Sequence, residues 1–170
     1  KIDTVKEGII RFADVMTLRS RDYRLGLVTF VEEIFDVNGG TPYEMLAMSD
    51  DAAVFQEWIE LTELQSGSRE DNYLALDKAS QFTLRSDAQH IFILVTDEVP
   101  TQTPYYSGPT QIAQQLKAKD IIVYYVGPQN NEFEELSSNL SLGIPISTPV
   151  FDGASVEDVT ELLKLADLPS

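Results

Sequence analysis

Two stretches of the sequence, Ile91-Phe-Ile-Leu-Val95 and Ile121-Ile-Val-Tyr-Tyr-Val126, are apolar at every position. A strand with one wet face alternates apolar and polar residues, so an unbroken apolar strand has to be covered on both faces. Helices supply that cover, and the segments between the strands have helical spacing. Ile2, Val5, Ile9, Phe12, Ala13 and Met16 recur at steps of three and four, with Lys6, Glu7, Arg11 and Asp14 between them. Ser49 or Asp50 can cap a helix that begins near Asp51 and buries Ala53, Phe55, Trp58, Ile59 and Leu61. A third helix starts near Glu70, with Tyr73, Leu74, Leu76, Ala79 and Phe82 inward, a fourth spans Gln111 to Lys119, and a terminal one spans Ser155 to Ala166. Tyr23 to Val31 reads as another central strand, with Glu33 to Val37 as its antiparallel partner before the turn Asn38-Gly39-Gly40. Asn131 to Leu140 is a short helix or turn and Pro149 to Phe151 an edge strand. The expected fold is α/β: a Rossmann-like three-layer α/β/α sandwich with a mostly parallel central sheet and one antiparallel edge strand.

Length and charge narrow the function classes. The 170 residues and 19.0 kDa suit a single domain over residues 1–170. Asp and Glu number 28 against 12 Lys and Arg, a formal charge of −16. That charge repels phosphate backbones and anionic lipid surfaces, so no nucleic-acid partner is expected. No apolar run approaches the roughly 20 residues that span a bilayer, so no direct membrane insertion is expected either. The absence of Cys removes thiol nucleophiles and thiolate metal sites. Excess carboxylates either form a solvated surface or supply hard oxygen ligands for Mg²⁺ or Ca²⁺, and their placement decides which.

Enzyme signatures are missing. The sequence has no Gly-x-Gly-x-x-Gly, no Gly-x-x-x-x-Gly-Lys-Ser/Thr and no Gly-x-Ser-x-Gly. The only His, His90, stands at the start of the strand that ends near Asp97, about 20 Å away along an extended chain. No Ser-His-acid triad can form between them, and the chain is expected not to be an enzyme.

In doubly wound sheets, ligands bind beyond the carboxyl ends of the strands, here the loops after Val31, Val95 and Val126. Asp97 closes a buried strand there and is followed by Glu98 and Pro100. A second acidic group, Ser68-Arg69-Glu70-Asp71-Asn72, opens a helix, where carboxylates serve either as caps or as metal ligands. The Pro-rich loop Thr101 to Thr110 carries Tyr105 and Tyr106, either packed or offered as contact groups.

The order of Arg24-Leu-Gly-Leu-Val-Thr-Phe30, Ser66-Gly-Ser-Arg-Glu-Asp-Asn-Tyr-Leu-Ala-Leu76, Ile93-Leu-Val-Thr-Asp-Glu98 and Ile121-Ile-Val-Tyr-Tyr-Val-Gly127 resembles the von Willebrand factor A domain family, including integrin I-like domains. The resemblance covers nearly the whole chain, and Val-Thr-Asp at a strand end is its most specific piece. It implies one divalent cation, Mg²⁺ or alternatively Mn²⁺ or Ca²⁺, in a metal-ion-dependent adhesion site at the carboxyl rim. Asp97 matches the third-loop Asp, and Glu70 the second-loop position five residues before Ala75, ahead of Asp71 or Asn72. The first-loop pattern Asp-x-Ser-x-Ser, which the family places at the end of the strand before the first helix, does not occur. The expectation is that this strand precedes Lys1 in the natural chain and that the module belongs to a longer protein with other domains.

The resemblance further implies an adhesion or protein-interaction module. A protein ligand presents an Asp or Glu carboxylate that completes the metal's coordination, with Glu98, Tyr105, Tyr106 and Asn72 as the surrounding rim. An extracellular or cell-surface location follows from that reading. The alternative is a metal-independent assembly component of an intracellular complex with a vestigial metal site; a metal-assisted hydrolase ranks third.

Overall fold

The structure, a computed structural model, describes residues 2–18, 22–30, 43–62, 72–96 and 108–126. In chain order these form α1 (Ile2–Leu18), β1 (Leu25–Phe30), β2 (Tyr43–Ser49), α2 (Ala52–Leu61), α3 (Asn72–Ala79), β3 (His90–Val95), α4 (Pro109–Ala118) and β4 (Ile121–Val126). The two unbroken apolar runs are neighbours: β3 and β4 pair in parallel from His90↔Ile121 to Val95↔Val126. Every residue of β4 is buried. Ile121, Val123 and Tyr125 pack with Tyr73, Leu74 and Leu76 of α3 and Ile112, Ala113 and Leu116 of α4. Ile122, Tyr124 and Val126 gather with Ile93 and Val95 in a second cluster. Burial on both faces is the physical reason that this strand has no alternation.

β1 is covered on both sides as well. Leu25 and Leu27 join Ala13 of α1 and Phe55 and Ile59 of α2, while Phe30 packs against the cluster of α3 and α4. Helices therefore lie on opposite faces of the strands, giving the three-layer α/β/α arrangement. Gly26 allows a close approach: a Cβ there would sit 2.5 Å from Met48 Sδ and 3.3 Å from the Phe82 ring.

The antiparallel partner of β1 is β2, with Phe30 opposite Tyr43 and Leu25 opposite Ser49. The segment Glu33 to Val37, expected to take that place, lies outside the described residues. Tyr43-Glu-Met-Leu-Ala-Met-Ser49 carries helix-favouring Glu, Met, Leu and Ala, and pairing with β1 overrides that propensity.

α1 and α2 pack antiparallel, since Lys6 Nζ donates to the Glu60 carbonyl at 2.8 Å and Gln56 Nε2 to Asp14 Oδ1 at 2.7 Å. Asp51 caps α2, its Oδ1 accepting from the Ala53 N–H at 2.9 Å. Phe55 and Ile59 are the buried side of α2; Ala53 and Leu61, expected there, are exposed, Leu61 at 71%. α3 ends at Ala79, so Phe82 belongs to the following turn rather than to the helix. The expected elements at Asn131 to Leu140, Pro149 to Phe151 and Ser155 to Ala166 lie outside the described residues. Among the described residues no helix is long and apolar enough to cross a membrane.

Candidate functional site

The described strands form two two-stranded sheets, β1–β2 and β3–β4, and which residues share an end of them follows from the direction of each element. The turn Lys119–Asp120, with Asp120 at φ 54°, joins α4 to β4 and reverses the chain. The start of α4 therefore lies at the carboxyl ends of β3 and β4. Gln115 of α4 donates to Asp77 of α3, and one turn further Lys119 Nζ donates to the Ser80 carbonyl at 2.6 Å. The contacts advance in step, so α3 runs parallel to α4 and its first residue, Asn72, lies at the same rim. Asp22, just before β1, pairs with Arg85, just before β3, at 2.7 Å. β1, β3 and β4 thus start at one end and finish at the other.

The described part of the rim consists of Asn72, Thr96 and the start of α4 at Gly108–Pro109. Thr96 is 5% exposed and its N–H donates to the Val126 carbonyl at 3.0 Å, which carries the parallel ladder one residue past β3. Pro109 opens α4, where its missing N–H costs nothing, and no side chain caps that helix from Gly108. Sequence reasoning gave neither Thr96 nor Gly108 a site role, although Thr96 lies in the Val-Thr-Asp motif and Gly108 in the loop Thr101 to Thr110; their signal was adjacency to Asp97 and to the helix-starting Pro109.

Asn72 is the one predicted site residue that is described. It is 0% exposed, and neither Nδ2 nor Oδ1 has a hydrogen-bonding partner among the described residues. An amide left buried and unpaired costs about 1–3 kcal/mol. Expected as part of a contact rim, its side chain is interior to that rim. Asp97, Glu98, Glu70, Asp71, Tyr105 and Tyr106 lie outside the described residues. Chain order puts Asp97 directly after Thr96 and Asp71 directly before Asn72.

Among the described residues no three His, Asp or Glu side chains converge as a metal cage. The chemistry at the rim nevertheless suits a hard cation: Asn72 Oδ1 is a neutral oxygen donor of the kind Ca²⁺ and Mg²⁺ accept, and it is unpaired. The opposite end of the sheet differs. There His90 Nε2 donates to the Arg85 carbonyl at 2.7 Å, so the only His is engaged at the amino ends of the strands. Arg85, by hydrogen bond and then by charge, holds the Asp22 carboxyl below its ordinary value.

Comparison with known proteins agrees with this architecture. A family model described as the von Willebrand factor type A domain matches residues 1–164. Proximal thread matrix protein 1 from the mussel byssus, solved with a zinc-occupied MIDAS motif, matches with a TM-score of 0.67 at 18% identity, over 96% of this chain and 41% of that one. The SpRpn10 VWA domain matches with a TM-score of 0.71 at 8% identity, over 94% of this chain and 82% of that one. At such identities the likeness to these structures is one of fold. The chain spans about two fifths of the mussel protein's length.

Proposed function

The chain belongs to the von Willebrand factor type A domain family, and from that premise we propose that it binds a protein ligand through a divalent cation at the carboxyl rim of its sheet. Domains of this family are protein-interaction modules. The observation that carries the finer reading is the convergence on one rim of the end of β3 at Thr96 and the start of α3 at a buried, unpaired Asn72. Asp97 follows the first in the chain, and Glu70 and Asp71 precede the second.

In this reading Asp97, Glu70 and Asp71 hold the cation, Mg²⁺ or alternatively Mn²⁺ or Ca²⁺. When bound, such an ion supplies a coordination position that a partner's Asp or Glu carboxylate can fill. Glu98, Tyr105 and Tyr106 border that position and select the partner. The buried end of β3 and the paired helices α3 and α4 act as a rigid base beneath these loops. The zinc-occupied motif of the mussel protein, a relative in fold, supports a divalent ion here. The role is binding without catalysis, at a cell surface or outside the cell.

The test is isothermal titration of the chain with Mg²⁺, Mn²⁺, Ca²⁺ and Zn²⁺, beside Asp97→Ala and Glu70→Ala. Saturable binding that both substitutions abolish is expected. A folded chain that binds none of these ions would overturn the reading and leave the metal-independent assembly role.

A further inference from the structure

We propose that Asn72 is a positioning residue coupled to occupancy of the rim: its amide, buried and unpaired among the described residues, takes its hydrogen bonds from the coordination shell of a bound divalent cation. The proposal rests on the cation reading above, which uses Asn72 only to locate the rim, and adds to it a role for the Asn72 amide itself. Asn72 is 0% exposed and both its polar side-chain atoms lack a partner among the described residues. The residues that follow it, Tyr73, Leu74, Ala75 and Leu76, are buried too, so the amide is set in packed surroundings. It is the first residue of α3, and side chains on a helix tilt toward its N-terminus, here toward the rim.

A carboxamide fits such a place. Its oxygen accepts from a metal-bound water or ligates the ion, and its N–H groups donate to a ligating carboxylate, an outer-shell arrangement that orients metal ligands. Being neutral, it costs the empty site less than a buried carboxylate would. Its cost in the empty state becomes affinity in the filled one, because a group satisfied only on binding links stability to occupancy.

The experiment is thermal unfolding of the chain in chelator and in Mn²⁺, for the wild type, Asn72→Leu and Asn72→Asp. Leu has the same side-chain heavy-atom count and branching, is bulkier, and carries no unpaired polar atom, so Asn72→Leu should melt about 2–4 °C higher than wild type in chelator. Its Mn²⁺-induced rise should shrink, with Mn²⁺ bound about tenfold more weakly in titration. Asn72→Asp should move both readouts the other way, melting lower in chelator and gaining more from Mn²⁺, which keeps the sign testable if the Leu variant does not fold. A lower melting temperature of Asn72→Leu in chelator, or a Mn²⁺-induced rise equal to wild type in both variants, would overturn the proposal while leaving the cation site in place. A wild type with no Mn²⁺-induced rise would overturn the cation reading, and this proposal with it.

Discussion

Alanine at Gly26 would set two effects of known sign against each other. Gly in a strand costs roughly 0.5–1 kcal/mol relative to Ala through chain entropy, so in open space the substitution would stabilise. The new Cβ, however, would lie 2.5 Å from Met48 Sδ and 3.3 Å from Cε2 and Cζ of Phe82. Met48 can swing about its side-chain torsions, but it stands where the register slips between Leu25↔Ser49 and Leu27↔Leu46, and the Phe82 ring closes the other side. Overpacking of this kind costs about 1–3 kcal/mol, so the net expectation is a loss of about 1–2 kcal/mol. Urea unfolding would show it as a lower midpoint at unchanged m-value. In a Met48→Ala background the same change should become neutral or stabilising, a coupling of about 1–2 kcal/mol in the double-mutant cycle. Stabilisation by Gly26→Ala in the wild-type background, or an equal loss in both backgrounds, would refute the steric account of how closely the turn after α3 seats on β1.

Two further substitutions test the layers and the amino end of the sheet. Leu116, fully buried between α3 and β4, should cost about 2–5 kcal/mol on truncation to Ala, whereas Leu61→Ala, at a position 71% exposed, should change stability by under about 0.5 kcal/mol; similar values in denaturant titration would contradict the assigned core. Because Arg85 lowers the Asp22 carboxyl below its ordinary 3.8, the unfolded chain binds this proton more readily than the folded one. The pair's contribution is therefore full above that ordinary value and lost as pH falls through the lowered one. The stability gap between wild type and Asp22→Asn should stay level at neutral pH and close in acid, and a gap that widens on acidification would refute the pairing.

Legibility in the sequence followed burial. β4 was readable because its unbroken apolar run is buried at every position; β3 carries the same kind of run, yet Ile91 is exposed and only Leu94 is fully buried, and α1 was readable because Ile9 and Ala13 of its stripe pack with Phe55 and Ile59. β2 was not readable, since Glu44, Met45, Leu46 and Ala47 favour helix and become strand through pairing with β1. The exposure of Leu61 was hidden for a related reason: apolar character shows what can be buried, while the end of α2 at Thr62 decides what is. At the site, the order of motifs pointed to the rim, but the burial of Asn72 was invisible, because a polar residue at a helix start reads equally as a cap, a contact or a ligand. Only the parallel run of α3 and α4, set by Asp77 with Gln115 and Ser80 with Lys119, brings Asn72 and Thr96 to one end.

The location of the cation is the central claim, and paramagnetic Mn²⁺ reads it directly. In amide-resolved NMR spectra of the chain, substoichiometric Mn²⁺ should broaden the signals of Asn72, Tyr73, Thr96 and Gly108, sparing Arg85, His90 and Lys119 at the other end, and Asp97→Ala should abolish the effect. Broadening centred instead on the acidic faces of α1 and α2, around Glu7, Asp14 and Glu57, or broadening unchanged by Asp97→Ala, would contradict a cation site at the carboxyl rim.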